Sequence, residues 1–212
     1  MKNLLNYLSK TLSVVLYPLF VPTYGIALFC YAYSLHVAPL AGVWVAVAVI
    51  GTFILTCLLP ITAIWIMMKK GEVKNLNIDD PRERTIPYLY SALGFGFWSY
   101  LLVQILHAPV FISCVAIGAT LAIGLVAIIN RWWKISAHLT GFGGLFGGVL
   151  SFCMGIGAIP TWPMLAVWLA ASLILMCARL YLNAHTPAQV VAGWLLGIMC
   201  TFLPYAIICY VL

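Results

Sequence analysis

Residues 179–193 read RLYLNAHTPAQVVAG, and the way this stretch is parsed decides what kind of chain this is. An apolar run ends on its left, another begins on its right, and His185 with Thr-Pro-Ala-Gln lies between them. Thr186 has the hydroxyl of a helix N-cap, and Pro187 suits the first helical position. Gln189, three residues past the cap, is placed to reach back to the cap N–H in a capping box. The stretch is therefore a helix end, a turn and a helix start. The start holds His185 at a helix mouth, where unpaired N–H groups and the peptide dipole attract anions, and Arg179 adds a planar fork of donors suited to phosphate.

The flanking runs are typical of the whole chain. Of 212 residues, 65% are apolar and only 7% charged, with a mean hydropathy of +1.13. A water-soluble domain is about 25% charged, so this composition calls for lipid as solvent. The seven cysteines lie scattered through apolar runs with no CxxC pair, which signals neither a zinc site nor a disulfide framework. The net charge of +6 is not arranged as a basic run interleaved with aromatics on a polar surface. Nucleic acid is not the expected partner; anionic lipid headgroups are. Lys2 and Lys10 precede an apolar run in the manner of a signal peptide, but no small-x-small cleavage site follows, so an uncleaved first span is expected.

A span needs about 20 mostly apolar residues. Seven stretches qualify, at about 11–34, 40–68, 87–106, 109–129, 138–157, 162–182 and 188–212, with Pro18 and Pro22 kinking the first. The chain is read as a single all-α integral membrane domain over 1–212, polytopic, with about seven transmembrane helices. Counting crossings puts the amino terminus and the polar connectors at 69–86, 130–137 and 183–187 on one side. All ten lysines and arginines lie on that side or at its boundary: Lys2, Lys10, Lys69, Lys70, Lys74, Arg82, Arg84, Arg131, Lys134 and Arg179. Basic short loops mark the cytoplasmic face. The expectation is a multi-pass protein, of a bacterial inner membrane, with its polar loops in the cytoplasm.

Three polar clusters then share one side: NIDDPRERTIP with Arg82 and Arg84, RWWKISAHLTG with Ser136, Ala137 and His138, and the 179–189 turn. The other two histidines, His36 and His107, fall in charge-free loops on the far side. Arginines, two helix N-termini and two histidines describe a site for a phosphoryl group. One histidine attacks phosphorus, the other protonates the leaving oxygen, and cationic and N–H donors hold the equatorial oxygens. No metal or other cofactor is called for, and of the four carboxylates, all within residues 72–83, Asp79 with Asp80 makes a thin magnesium site.

These residues resemble the type 2 phosphatidic acid phosphatase superfamily, whose membrane members carry motifs written KxxxxxxRP, PSGH and SRxxxxxHxxxD. ARLYLNAHTPAQ matches the third at Arg179 and His185 with the same spacing, and ISAH matches the second at Ser136 and His138. The likeness runs over about 74–197 and implies a six-helix phosphatase-like core. It implies His185 as nucleophile and His138 as general acid. Arg179, Ser136 and the Ala137 and His138 backbone would grip phosphate, with Arg82 or Arg84 replacing the first motif's basic residues. The implied substrate is an anionic phospholipid or prenyl phosphate, hydrolysed without metal. Gln189 stands where the family has aspartate, Ala137 replaces a glycine, and DPRERTIP is a rearranged first motif. A catalytically silent member that binds or moves an anionic lipid is the alternative reading, and a subunit whose polar face docks a partner protein is another.

Several of these residues have a plainer use. Gln189 serves equally as a capping-box residue and as the partner of His185, and Arg82 and Arg84 alternate with acids as a solvated ion-paired loop would. Trp132, Trp133 and Lys134 fit an interfacial anchor. Gly143/Gly147 and Gly144/Gly148 give two GxxxG spacings that fit close helix packing.

Overall fold

The structure is a computed structural model that describes residues 2–73, 85–156 and 162–210. The chain is all-helical there, with α1 Lys2–Val15, α2 Val21–His36, α3 Gly42–Phe53, α4 Leu59–Lys69, α5 Thr85–Tyr100, α6 Val110–Ile129, α7 Ala137–Ile156, α8 Trp162–Tyr181 and α9 Pro187–Tyr210. π-helical turns at Ile54–Leu58 and Leu101–Ile105 join α3 to α4 and extend α5. The first of these immediately precedes Leu59-Pro60. Proline supplies no N–H to the helix ladder, and the wider turn takes up the break without ending the span.

Six helices among the described residues are long and apolar enough to cross a membrane: Gly42–Lys69, Thr85–Ile105, Val110–Ile129, Ala137–Gly155, Pro163–Tyr181 and Pro187–Cys209. They match the last six expected spans to within a few residues at their described ends, and the protein is a polytopic helical membrane protein. The expected first span at 11–34 is corrected. Instead of one kinked helix the chain makes two, separated by an irregular Tyr17 and a turn over Pro18–Phe20. Pro18 withholds an N–H and disfavours helical geometry at Tyr17, and the Ser13 and Val15 carbonyls freed at the break take side-chain partners instead, His138 Nε2 at 3.0 Å and the Tyr24 hydroxyl at 3.3 Å.

The sixteen residues of α2 reach about 24 Å at 1.5 Å each, and they climb alongside α7. A Cβ placed on Gly141 would meet Val21 at 3.4 Å, one on Gly25 would meet Leu145 at 2.7 Å, and one on Gly148 would meet the Phe29 ring at 2.6 Å. α1 packs instead against α8. It turns its small serines inward, with Ser9 and Ser13 buried, and leaves Leu4, Tyr7 and Val14 exposed. A helix with an apolar outer face suits the lipid boundary rather than water.

The tightest pairing is α7 with α9, because glycines on both helices let backbone meet backbone. A Cβ on Gly147 of α7 would fall 2.7 Å from the Ile198 carbonyl, and one on Gly193 of α9 would fall 2.6 Å from the Ser136 carbonyl. Gly143 and Gly197 are closed off in the same way by Trp194 and Thr140. The Thr201 hydroxyl donates to the Gly144 carbonyl at 2.9 Å and ties the helices farther along. The Gly143/Gly147 pair thus packs helix on helix, as its spacing suggests. Gly144 meets the Thr201 side chain of the same α9, whereas Gly148 faces the Phe29 ring of α2.

Candidate active site

The turn from α8 to α9 is built by local rules. Arg179 lies in the last turn of α8, and its carbonyl accepts the Ala184 N–H at 3.1 Å. Asn183 adopts the left-handed conformation, with φ 51°, that reverses the chain there. Thr186 then caps α9: its N–H donates to Gln189 Oε1 at 3.0 Å, and its Oγ1 accepts the Gln189 N–H at 3.4 Å. This is the reciprocal capping box read from the sequence.

The same Gln189 oxygen lies 3.3 Å from His185 Nδ1. A main-chain N–H only donates, so the amide atom facing Thr186 is the oxygen. That oxygen only accepts, so His185 Nδ1 carries the hydrogen. The tautomer follows, with the lone pair on His185 Nε2, as a nucleophilic nitrogen requires. The two roles for Gln189 are therefore not alternatives, since one oxygen serves both. What an amide does not supply is negative charge opposite the imidazole.

The second cluster opens α7. Ser136 is fully buried and acts as the N-cap, its Oγ accepting the Leu139 N–H at 3.5 Å and its carbonyl accepting the Thr140 N–H at 2.9 Å. The Ser136 N–H donates to the Gln189 carbonyl at 3.3 Å. Together with Gly193, which lets α9 lie against the Ser136 carbonyl, this bond joins the clusters of His138 and His185 into one corner of the protein. Ala137 is the first residue of α7.

His138, in the first turn, is half-buried. Its Nε2 lies 3.0 Å from the Ser13 carbonyl of α1, and its ring meets Tyr17 edge-on with centroids 5.6 Å apart. A carbonyl only accepts, so His138 Nε2 is the donor. That nitrogen therefore bears a proton, and it is turned toward the amino-terminal helix. Ser13 and Tyr17 carry no signal in the sequence, where nothing links a serine carbonyl to a histidine 125 positions away.

Arg179 is half-buried, with its Nε enclosed by protein. Arg82 and Arg84, with Asp79 and Asp80, lie outside the described residues. Among the described residues no three of His, Cys, Asp and Glu are gathered as metal ligands. At the ends of α4 and α6 the bases sit by tryptophans: Lys69 Nζ is 3.9 Å from the Trp65 ring centroid and the Arg131 guanidinium 5.9 Å from that of Trp132. With Trp132 77% exposed, this is how an interfacial belt is made.

The model of the PAP2 superfamily matches residues 113–211. No curated protein and no solved structure matches the chain. The match takes in the stretch that carries Ser136, His138, Arg179 and His185, and it is consistent with the resemblance to the type 2 phosphatidic acid phosphatase superfamily.

Proposed function

We propose that this protein is an integral membrane lipid phosphatase, hydrolysing the phosphate monoester or pyrophosphate of a phospholipid or prenyl lipid through a phosphohistidine, with no metal required. The match to the superfamily model supports phosphoester hydrolysis in general. The observation that carries the reading is the Gln189 oxygen, held by the Thr186 N–H and facing His185 Nδ1, which leaves Nε2 as the attacking atom.

In this mechanism the Nε2 lone pair forms an N–P bond as the P–O ester bond breaks. The departing alkoxide takes a proton from His138 Nε2, and water then attacks phosphorus, giving its proton to His138 while the N–P bond breaks. Arg179, the N–H groups at the start of α7 and α9, and Arg82 or Arg84 supply positive potential to the phosphoryl oxygens. Phosphatidate and phosphatidylglycerophosphate suit a site facing the cytoplasm, the side that the basic short loops favour.

The test is phosphate release from dioleoyl phosphatidate by the purified protein in detergent with a chelator present. His185→Ala is expected to abolish release. Equal rates for this variant and wild type would overturn the assignment.

The neutral Gln189 favours a second reading, a family member that binds an anionic lipid without turnover. Phosphatidate binding by wild type with no phosphate release and no trapped phosphohistidine would establish it.

A further inference from the structure

Between α2, α3, α5, α6 and α7 the helices do not close on one another. They leave about 930 Å³ of atom-free space, a figure that takes in space open to the surroundings. The space exists because α6 presents Ala116, Ala119 and Ala122, three apart and so on one face, where larger residues would fill it.

One end reaches the first turn of α7, the turn that carries His138, where Ala137 and Thr140 form part of the wall. At the other end are Phe29, Leu102 and Ile112. From Ile112 to Val126 the wall follows α6 for about 21 Å at 1.5 Å per residue, more than the roughly 15 Å of hydrocarbon in one leaflet.

The polar atoms in this wall already have partners. Thr52 Oγ1 donates to the Ala48 carbonyl at 2.7 Å and accepts Trp98 Nε1 at 2.7 Å. Thr56 and Thr140 donate to carbonyls one helical turn back, at 2.8 and 3.0 Å. Thr201 bonds Gly144, and Ser99 bonds Thr120 at 2.9 Å. No side-chain hydroxyl there is left asking for water, and a space so lined favours hydrocarbon.

We propose that this cavity holds one hydrocarbon chain of the lipid phosphate whose headgroup sits at His138 and His185. The inference rests on the phosphatase reading for that headgroup. About half of its wall, from Pro18 to Ile112, precedes the family match at 113–211. The chain site is thus shared between this protein's amino-terminal helices and the matched α6 and α7.

The wild-type protein in detergent would be photolabelled with a phosphatidate carrying a diazirine in one long acyl chain, and the adducts mapped by mass spectrometry. Adducts are expected on Phe29, Leu102 and Ile112, which are 2%, 1% and 1% exposed and out of reach of surrounding lipid. A phosphatidylcholine with the same chain is expected to label them at most about a tenth as well. Adducts confined to outward residues such as Leu121 and Leu173 would overturn the proposal. Equal labelling by both lipids would also overturn it, marking the cavity as a site for bulk lipid.

Labelling does not depend on turnover. If buried adducts form but no phosphate is released, the hydrolase reading fails and the chain site stands. Ala119→Phe, which fills the space away from the histidines, should cut turnover of the long-chain phosphatidate about tenfold, or about 1.4 kcal/mol. Hydrolysis of p-nitrophenyl phosphate, which has no chain, should stay within about twofold. Equal effects on both substrates in folded protein would count against the proposal.

Discussion

Gln189→Glu offers the sharpest test of the site's chemistry. In the serine-protease triad, exchanging aspartate for asparagine drops turnover about 10⁴-fold because the wrong tautomer of histidine results. That penalty does not arise here. The Thr186 N–H, 3.0 Å from Gln189 Oε1, turns the amide oxygen toward His185 and keeps the hydrogen on Nδ1. What is lost relative to a carboxylate is only charge.

Glutamate has the same length as glutamine, so a carboxylate oxygen can occupy the Oε1 position, keep the capping box and face Nδ1. A hydrogen bond to a charged group contributes about 1.5–3 kcal/mol against about 0.5–1.5 for a neutral one, a difference of about 1–1.5 kcal/mol. The imidazole gains positive charge as the N–P bond forms, so this difference acts in the transition state. It corresponds to a roughly tenfold rise in turnover. A carboxylate in the first turn also favours the α9 dipole by about 0.3–1 kcal/mol, so stability should hold or increase.

The assay is phosphate release from dioleoyl phosphatidate in detergent with chelator, alongside thermal unfolding. Gln189→Leu is the companion variant and should lose about tenfold in turnover with the tautomer no longer held. If both variants turned over like wild type while only their unfolding temperatures shifted, Gln189 would be a helix cap and nothing more, and the tautomer argument would be refuted.

Three further outcomes are expected. Gly193→Val brings a Cβ to 2.6 Å from the Ser136 carbonyl, so α7 and α9 must separate; a destabilisation of about 1–3 kcal/mol and loss of phosphate release are expected, and a wild-type unfolding curve would show the close approach to be dispensable. Thr186→Val removes the acceptor of the Gln189 N–H and should cost about 1 kcal/mol in denaturant unfolding while leaving the His185 contact in place, so a turnover loss far beyond the stability change would contradict the division of roles. Ser13→Leu enlarges a buried face of α1 and should push the Ser13 carbonyl off His138 Nε2; freeing that donor of a bond contributing about 1 kcal/mol predicts a turnover rise of about fivefold, and slower release would mean that α1 positions His138 rather than restraining it.

What could be read from the chain alone is what depends on near neighbours and on solvent. Apolar runs of span length are an answer to lipid, and they return as six helices with nearly the expected bounds. The capping box of Thr186 and Gln189 spans three residues, so its geometry is dictated by helix periodicity whatever surrounds it. The glycine spacing of Gly143 and Gly147 announced close packing without naming the partner. That partner is α9, whose own Gly193 and Gly197 complete the contact.

Tertiary structure decided the rest, because the interactions involved cross long stretches of chain and leave no local pattern. The bond from the Ser136 N–H to the Gln189 carbonyl joins two motifs that sequence could place only on the same side. Pro18 and Pro22 allow either a kinked span or two helices. The outcome, a break at Tyr17, accompanies the docking of the serine face of α1 on α8 and of the Ser13 carbonyl on His138. The cavity along α6 is likewise invisible in a run of alanines, since a small residue makes a void only where the helices opposite fail to reach it. Local chemistry specified helices, caps, the His185 tautomer and the lipid boundary; the meeting of distant backbones specified which nitrogen of His138 carries a proton and what it faces.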